Sequence, residues 1–322
     1  MRERDFAVDF VKFIAVFLVI NSHADMMYPR MSILATGGAI GDCLFLFVSG
    51  YTLFLGGMKS FGNYYKRRIC RIYPSVLAAL LLVHLLEKDY EIELYEFWGG
   101  EFIGAIMIYY VLIYFIRKYA RDYVWQIVGI VFMLSLCVYI LWFPYKYEVS
   151  AQGLYGTSTL FRWLPYFAFM LIGADMGMRG KAIQGKGLID FIKMLCCLII
   201  FYGTQLMAKV YPNTAPFQIV TLLPLGVIVV YLYKWCKSDF FHKLYQNKVI
   251  QKVIVLISGL CLESYLIQLC LFTDKMNGIW PLNLVIITIV ILVCSYLVRC
   301  MARLFVQTFK TEDYDWKEIV KL

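Results

Sequence analysis

The sequence predicts an all-α, polytopic integral membrane protein with about ten transmembrane helices and both termini cytoplasmic. Three observations predict it. Hydrophobic residues make up 61% of the 322-residue chain, well above the share in an ordinary soluble domain. Apolar stretches of bilayer length recur near 6–24, 37–57, 73–87, 99–116, 123–142, 163–178, 188–208, 217–235, 251–273 and 279–301. Helices are expected for all of them, because an open sheet edge cannot be satisfied in lipid. Finally, with the N-terminus inside, 23 of the 31 Lys and Arg fall in cytoplasmic segments and only six in outer ones, Lys12 and Lys193 lying within helices. That asymmetry is the positive-inside pattern. It accounts for the formal charge of +9 without any nucleic-acid partner. A single membrane domain over 1–309 and a short cytoplasmic tail over 310–322 follow.

The first apolar stretch carries Asp9, Lys12 and His23. Ionisable groups at membrane depth are costly and usually face a protein interior or a wet cavity. The eleven-residue step from Lys12 to His23 returns to nearly the same azimuth about 16 Å along a helix. Val16 and Val19 fill the stripe between them, and Asp9 sits one turn before Lys12, placed to pair with it. An anchor with a snorkelling Lys and an interfacial His is the plain alternative. Ser22-His23-Ala24 has the small-x-small form of a signal-peptide cleavage site, but Asp5, Asp9 and Lys12 interrupt the preceding pattern, so an uncleaved helix is expected.

The second stretch opens on Gly37-Gly38-Ala-Ile-Gly41 and continues through Phe45-Leu-Phe-Val-Ser49-Gly50. Glycines here permit close helix approach. Ser49-Gly50 either packs against the first helix or lines a pore. The next inner segment reads Tyr64-Tyr65-Lys66-Arg67-Arg68-Ile-Cys-Arg71-Ile-Tyr73-Pro74, a loop with Pro74 expected in the first turn of the third helix. Four cations in six residues exceed ordinary stop-transfer charge. Arg binds phosphate in a bidentate fork, so Arg67, Arg68 and Arg71 suit a polyanionic ligand such as a nucleotide diphosphate, with lipid headgroups as the competing anion.

Ten cysteines without a C-x-x-C pair and three scattered His residues point to no disulfide frame and no metal site. The segment 87–98, with Glu87, Asp89, Glu91, Glu93 and Glu96, is an acidic outer loop, either solvated or a sugar-binding lip. Glu101 and Tyr110 of the fourth helix are candidates to face a cavity. Arg162-Trp163 at the outer start of the sixth helix serves as an interfacial anchor or as a glycan contact with Trp163 stacking on the sugar. Glu263 is intramembrane and expected to line the cavity. The tail after Lys310 reads as a short cytoplasmic helix or disordered chain.

Three of these stretches, in order and spacing, resemble the membrane-bound acyltransferase-3 family, bacterial proteins that O-acylate sugars and cell-envelope glycans. A basic residue, ten intervening residues and a His correspond to Lys12 and His23. The family's aromatic-rich F-F-x-x-S-G stretch corresponds to Phe45 through Gly50, and its R-x-x-R ahead of a Pro to Arg68, Arg71 and Pro74. A late Ser-x-x-x-Tyr-Leu-x-His pattern is similar to the stretch Ser258 to Gln268. Lys12 stands where the family usually has Arg, and Gln268 where it often has His. No appended soluble hydrolase-like domain is expected, so the membrane part acts alone or hands over to a separate protein.

The resemblance implies transfer of an acyl group, acetyl most commonly, from cytoplasmic acyl-CoA to a hydroxyl of a cell-surface or lipid-linked glycan in the bacterial cytoplasmic membrane, with no metal. It implies His23 as general base or acyl carrier and Lys12 as oxyanion or CoA contact. Arg67, Arg68 and Arg71 would hold the CoA phosphates, and Arg162, Trp163, Glu263 and Ser49 would bind substrate. A transporter or flippase for lipid-linked glycans would also use ten helices with intramembrane charge. It would favour inverted repeats with paired broken helices, and no clear internal repeat is present.

Overall fold

The computed structural model describes residues 5–87, 93–142, 160–180 and 183–321. Asp89 and Glu91 of the acidic segment, and five of the cations counted above (Arg2, Arg4, Lys88, Lys146 and Lys181), lie outside the described residues. Among the described residues the chain forms thirteen α-helices and short 3-10 turns: α1 Phe6–Ser22, α2 Gly38–Leu55, α3 Phe61–Leu86, α4 Gly100–Tyr119, α5 Val124–Trp142, α6 Trp163–Arg179, α7 Leu188–Val210, α8 Leu222–Cys236, α9 Asp239–Gln246, α10 Lys248–Gly259, α11 Cys261–Ile267, α12 Leu282–Thr308 and α13 Trp316–Ile319. The protein is all-α and polytopic. Seven helical stretches are long and apolar enough to cross a membrane, and α10 with α11, bent by 52°, makes an eighth. The other two expected segments are α1 and α6, each of 17 residues, at the short end of what spans a bilayer. Most residues of α6 are buried, Asp175 among them, as suits a largely apolar helix in a core.

One expectation about boundaries is corrected. The Tyr64–Pro74 stretch is not a loop: α3 starts at Phe61, and Pro74 lies in its interior. An interior proline loses one backbone hydrogen bond, yet the helix continues for twelve residues beyond it. The basic residues therefore project from a helix that begins well before the apolar run. The segment between the eighth and ninth apolar stretches carries the amphipathic helix α9.

By internal contacts the chain divides into two compact units, interleaved in sequence. The first comprises 1–11, 42–58 and 112–251. In it α2 and α6 pack backbone against backbone: a Cβ on Gly50 would meet the Met170 carbonyl, and one on Gly173 the Phe47 carbonyl. Small residues at a helix crossing allow this approach. The expected close packing at Gly50 is thus present, with α6 as its partner rather than the first helix. At the C-terminal ends of α2 and α8, Tyr51 and Tyr233 donate to Asp5 at 2.6 and 2.9 Å, and Lys237 lies 3.7 Å from the same carboxylate. A helix with α9's polar and apolar faces lies against apolar neighbours: Phe241 meets Phe10 and Trp235 edge-on at 4.8 Å. Tyr245 donates to Asp9 at 2.7 Å.

The second unit comprises 12–41, 59–111 and 252–322. Its core includes Ala78 and Ala79 of α3 against Val298 and Ala302 of α12. The glycines opening α2 sit on the C-terminal half of α1, where a Cβ on Gly41 would meet Val19 at 2.5 Å and one on Gly38 would meet Ser22 Oγ at 2.8 Å. The connection between α1 and α2 is held by polar contacts. Asn21 donates to the Leu34 and Thr36 carbonyls at 2.7 and 2.9 Å, and Asn283 of α12 donates to Met27 O at 2.9 Å.

Candidate active site

The second unit carries Lys12, His23, Arg67, Arg68, Arg71 and Glu263; the first carries Ser49, Arg162 and Trp163. Within the second unit, α11 follows the Lys12–His23 stripe of α1. At one end the Cys261 thiol faces the Lys12 carbonyl oxygen at 3.7 Å. At the other, Gln268, fully buried just after the last turn of α11, brings its side-chain nitrogen within 3.1 Å of His23 Nδ1. The same Nδ1 lies 3.0 Å from the Val19 carbonyl oxygen and 3.4 Å from Ser22 Oγ. Val16 and Val19 are both buried, so the stripe faces protein.

The short helix α11 is anchored on both sides. Tyr265 packs on Phe102 with ring centroids 5.1 Å apart. Ser75, one turn beyond Arg71 on α3, donates to Glu263 Oε1 at 3.0 Å. Glu263 is 7% exposed, and its Oε2 has no hydrogen-bond partner among the described residues. A buried carboxylate needs compensating charge, and α12 supplies it. Arg299 lies within electrostatic reach of Glu263, Arg303 and Arg71, its guanidinium against Gly259 at the bend between α10 and α11.

The three α3 arginines are not equivalent. Arg67 and Arg71 are exposed, whereas Arg68 is half-buried and stacks between the rings of Tyr64 and Tyr110, at 5.4 and 5.7 Å from their centroids. Its Nε is buried without a hydrogen-bond partner among the described residues. A cation over aromatic faces keeps its charge with little water around it, so the remaining N–H donors of Arg68 are presented by a rigid mount. Tyr110 of α4 is thereby tied to Arg68.

In the first unit, Arg162 stacks on Trp163 at 4.6 Å and lies within electrostatic reach of buried Asp42. One face of the Trp163 ring is therefore covered by a cation, and the ring stands nearly perpendicular to that of Tyr166. Ser49 is half-buried on α2, and its carbonyl accepts from Thr52 at 3.0 Å. In the second unit, Tyr28 of the connection between α1 and α2 donates to Asn21 Oδ1 at 2.5 Å. Burial pushes its hydroxyl pKa up, which keeps it a donor.

Sequence reasoning missed Gln268, Ser75 and Arg299 as members of this group. Gln268 had one usable signal, its place where the resembling family often carries His. Ser75 and Arg299 had none, because their partners lie far away along the chain.

The fold is thus an all-α membrane bundle with a half-buried His at one end of the Lys12–His23 stripe. Residues 5–300 match the acyltransferase type 3 family, described as an acyltransferase domain; the chain belongs to it and is a membrane acyltransferase. No curated protein and no solved structure matches the chain.

Proposed function

We propose that the protein is an O-acyltransferase that moves an acyl group, acetyl first among candidates, from cytoplasmic acyl-CoA to a hydroxyl of a cell-surface or lipid-linked glycan. The bacterial cytoplasmic membrane is its place, with ten crossings and both termini inside. The observation that carries the reading is the contact between His23 and Gln268 at 3.1 Å, in a unit that also holds Lys12 and the α3 arginines. His is the side chain best suited to exchange a proton near neutral pH.

In this reading Arg67, Arg68 and Arg71 hold the CoA phosphates, since guanidinium groups match phosphate geometry. His23 takes the proton from the acceptor hydroxyl as its oxygen attacks the thioester carbonyl. Lys12 favours the negative charge developing on that carbonyl oxygen. Collapse expels the CoA thiolate, which recovers the proton from His23. Arg162, Trp163 and Ser49 are assigned to acceptor binding, Glu263 to lining the reaction space, and no metal takes part.

Inside-out membrane vesicles containing the protein, given radiolabelled acetyl-CoA and the glycan pool of the same cell, test the reading. Label passing to glycan in the wild type and lost in His23→Ala is expected. Transfer undiminished in His23→Ala sinks the assignment, and neither transfer nor thiol release with acetyl-CoA or succinyl-CoA favours a transporter.

A further inference from the structure

We infer that Gln268 is a positioning residue for His23: its side-chain carbonyl accepts the Nδ1–H proton and holds the imidazole in the tautomer whose lone pair is on Nε2. The inference deepens the proposed role of His23 as proton acceptor and rests on it.

The neighbours of Nδ1 decide the tautomer. The Val19 carbonyl oxygen, 3.0 Å away, can only accept, so Nδ1 must donate. Ser22 Oγ, 3.4 Å away, spends its own proton on Val19 O at 2.8 Å and presents only lone pairs to the ring. Both backbone and side-chain surroundings on α1 therefore call for Nδ1–H. The third neighbour is Gln268. With its nitrogen toward Nδ1, two donors would face each other at 3.1 Å, while Gln268 Oε1 sits buried with no hydrogen-bond partner among the described residues. Orphaned buried oxygens are costly, and an amide turned over keeps its shape while exchanging the two atoms. Turning the amide removes the clash of donors and gives the oxygen its partner. Nδ1–H is then shared between Val19 O and the Gln268 oxygen, and the neutral ring carries its basic lone pair on Nε2.

Rigidity supports the same role. Gln268 is fully buried, and its backbone N–H bonds to Ser264 O at 3.2 Å. Its helix is fixed by the Ser75–Glu263 and Phe102–Tyr265 contacts. A base whose second nitrogen is held by a fixed acceptor keeps both its orientation and its tautomer; at metal sites, where a ligating His is held in the same way, loss of that partner typically costs about 10- to 100-fold.

The test uses the full chain in lipid nanodiscs with nitrogen-15-labelled imidazoles. The protein has three His residues, so His23→Ala identifies the His23 signal by its disappearance. The expected wild-type spectrum shows Nδ1 protonated and Nε2 unprotonated; the reverse pattern overturns the inference without reference to activity. In parallel, acetyl-CoA-dependent transfer is measured in vesicles. Gln268→Leu should lower turnover about 10- to 100-fold with the apparent KM for acetyl-CoA little changed. Gln268→Glu, which keeps an acceptor of the same shape but has no N–H, should recover most of it. A Glu variant as poor as Leu, or a Leu variant at wild-type rate, refutes the positioning role. Full transfer in His23→Ala instead refutes the reading of His23 itself.

Discussion

Alanine at Gly50 should pry apart the tightest crossing in the first unit. The Cβ it adds would lie 2.7 Å from Met170 C and 3.1 Å from Ala174 N, where ordinary contact begins at 3.4 Å, and the atoms it meets are helix backbone. Backbone in a regular helix cannot swing aside as a side-chain tip can. The helices must separate by about 0.7 Å or more, and a gap of that size forfeits a quarter to a half of each dispersion contact along the seam. Gly173 and Gly177 lie on the same seam, a Cβ on Gly173 falling 2.6 Å from Phe47 C and one on Gly177 2.5 Å from Tyr51 O. Overpacking a close-fitted interior costs about 1–3 kcal/mol, and with an unyielding neighbour the upper end applies, about 3 kcal/mol or a hundredfold in the folding equilibrium. The measurement is thermal unfolding of detergent-solubilised protein followed by size-exclusion. The control is Gly203→Ala in α7, where an added Cβ meets nothing within 4 Å; there the gain in helix propensity, up to about 1 kcal/mol, should hold or raise stability. Equal melting of Gly50→Ala and Gly203→Ala would refute the backbone-contact argument.

Two further outcomes are expected. Arg68→Lys keeps the charge but loses the planar group that stacks between Tyr64 and Tyr110 and the bidentate fork; if the α3 arginines hold CoA phosphates, the apparent KM for acetyl-CoA should rise about tenfold in vesicle transfer assays, one lost charge-assisted bond being worth about 1.5–3 kcal/mol, while an unchanged KM removes Arg68 from the donor site. Asn283→Leu leaves the Met27 carbonyl without its donor at 2.9 Å in a fully buried position and should cost about 1–3 kcal/mol, read as a lower unfolding temperature and faster protease cleavage between α1 and α2.

The class of fold was legible in the sequence because hydropathy and the placement of positive charge report directly on the bilayer, a solvent every residue meets individually. The cation–histidine stripe was legible too, since helical periodicity relates Lys12 to His23 within one element, and so was the glycine-mediated approach at Gly41. Tertiary structure decided everything that depends on two elements meeting. Hydropathy sets the start of an apolar run, not of a helix, so α3 begins at Phe61 and carries Pro74 inside it. The partner of Gly50 is α6, a choice among several apolar helices that look alike in composition. Gln268 reaches His23 across 245 positions, and Ser75 reaches Glu263 across 188. Local chemistry announces that a buried polar group needs a partner; only the packed chain determines which residue answers, because the cost of burial is settled in space and not along the sequence.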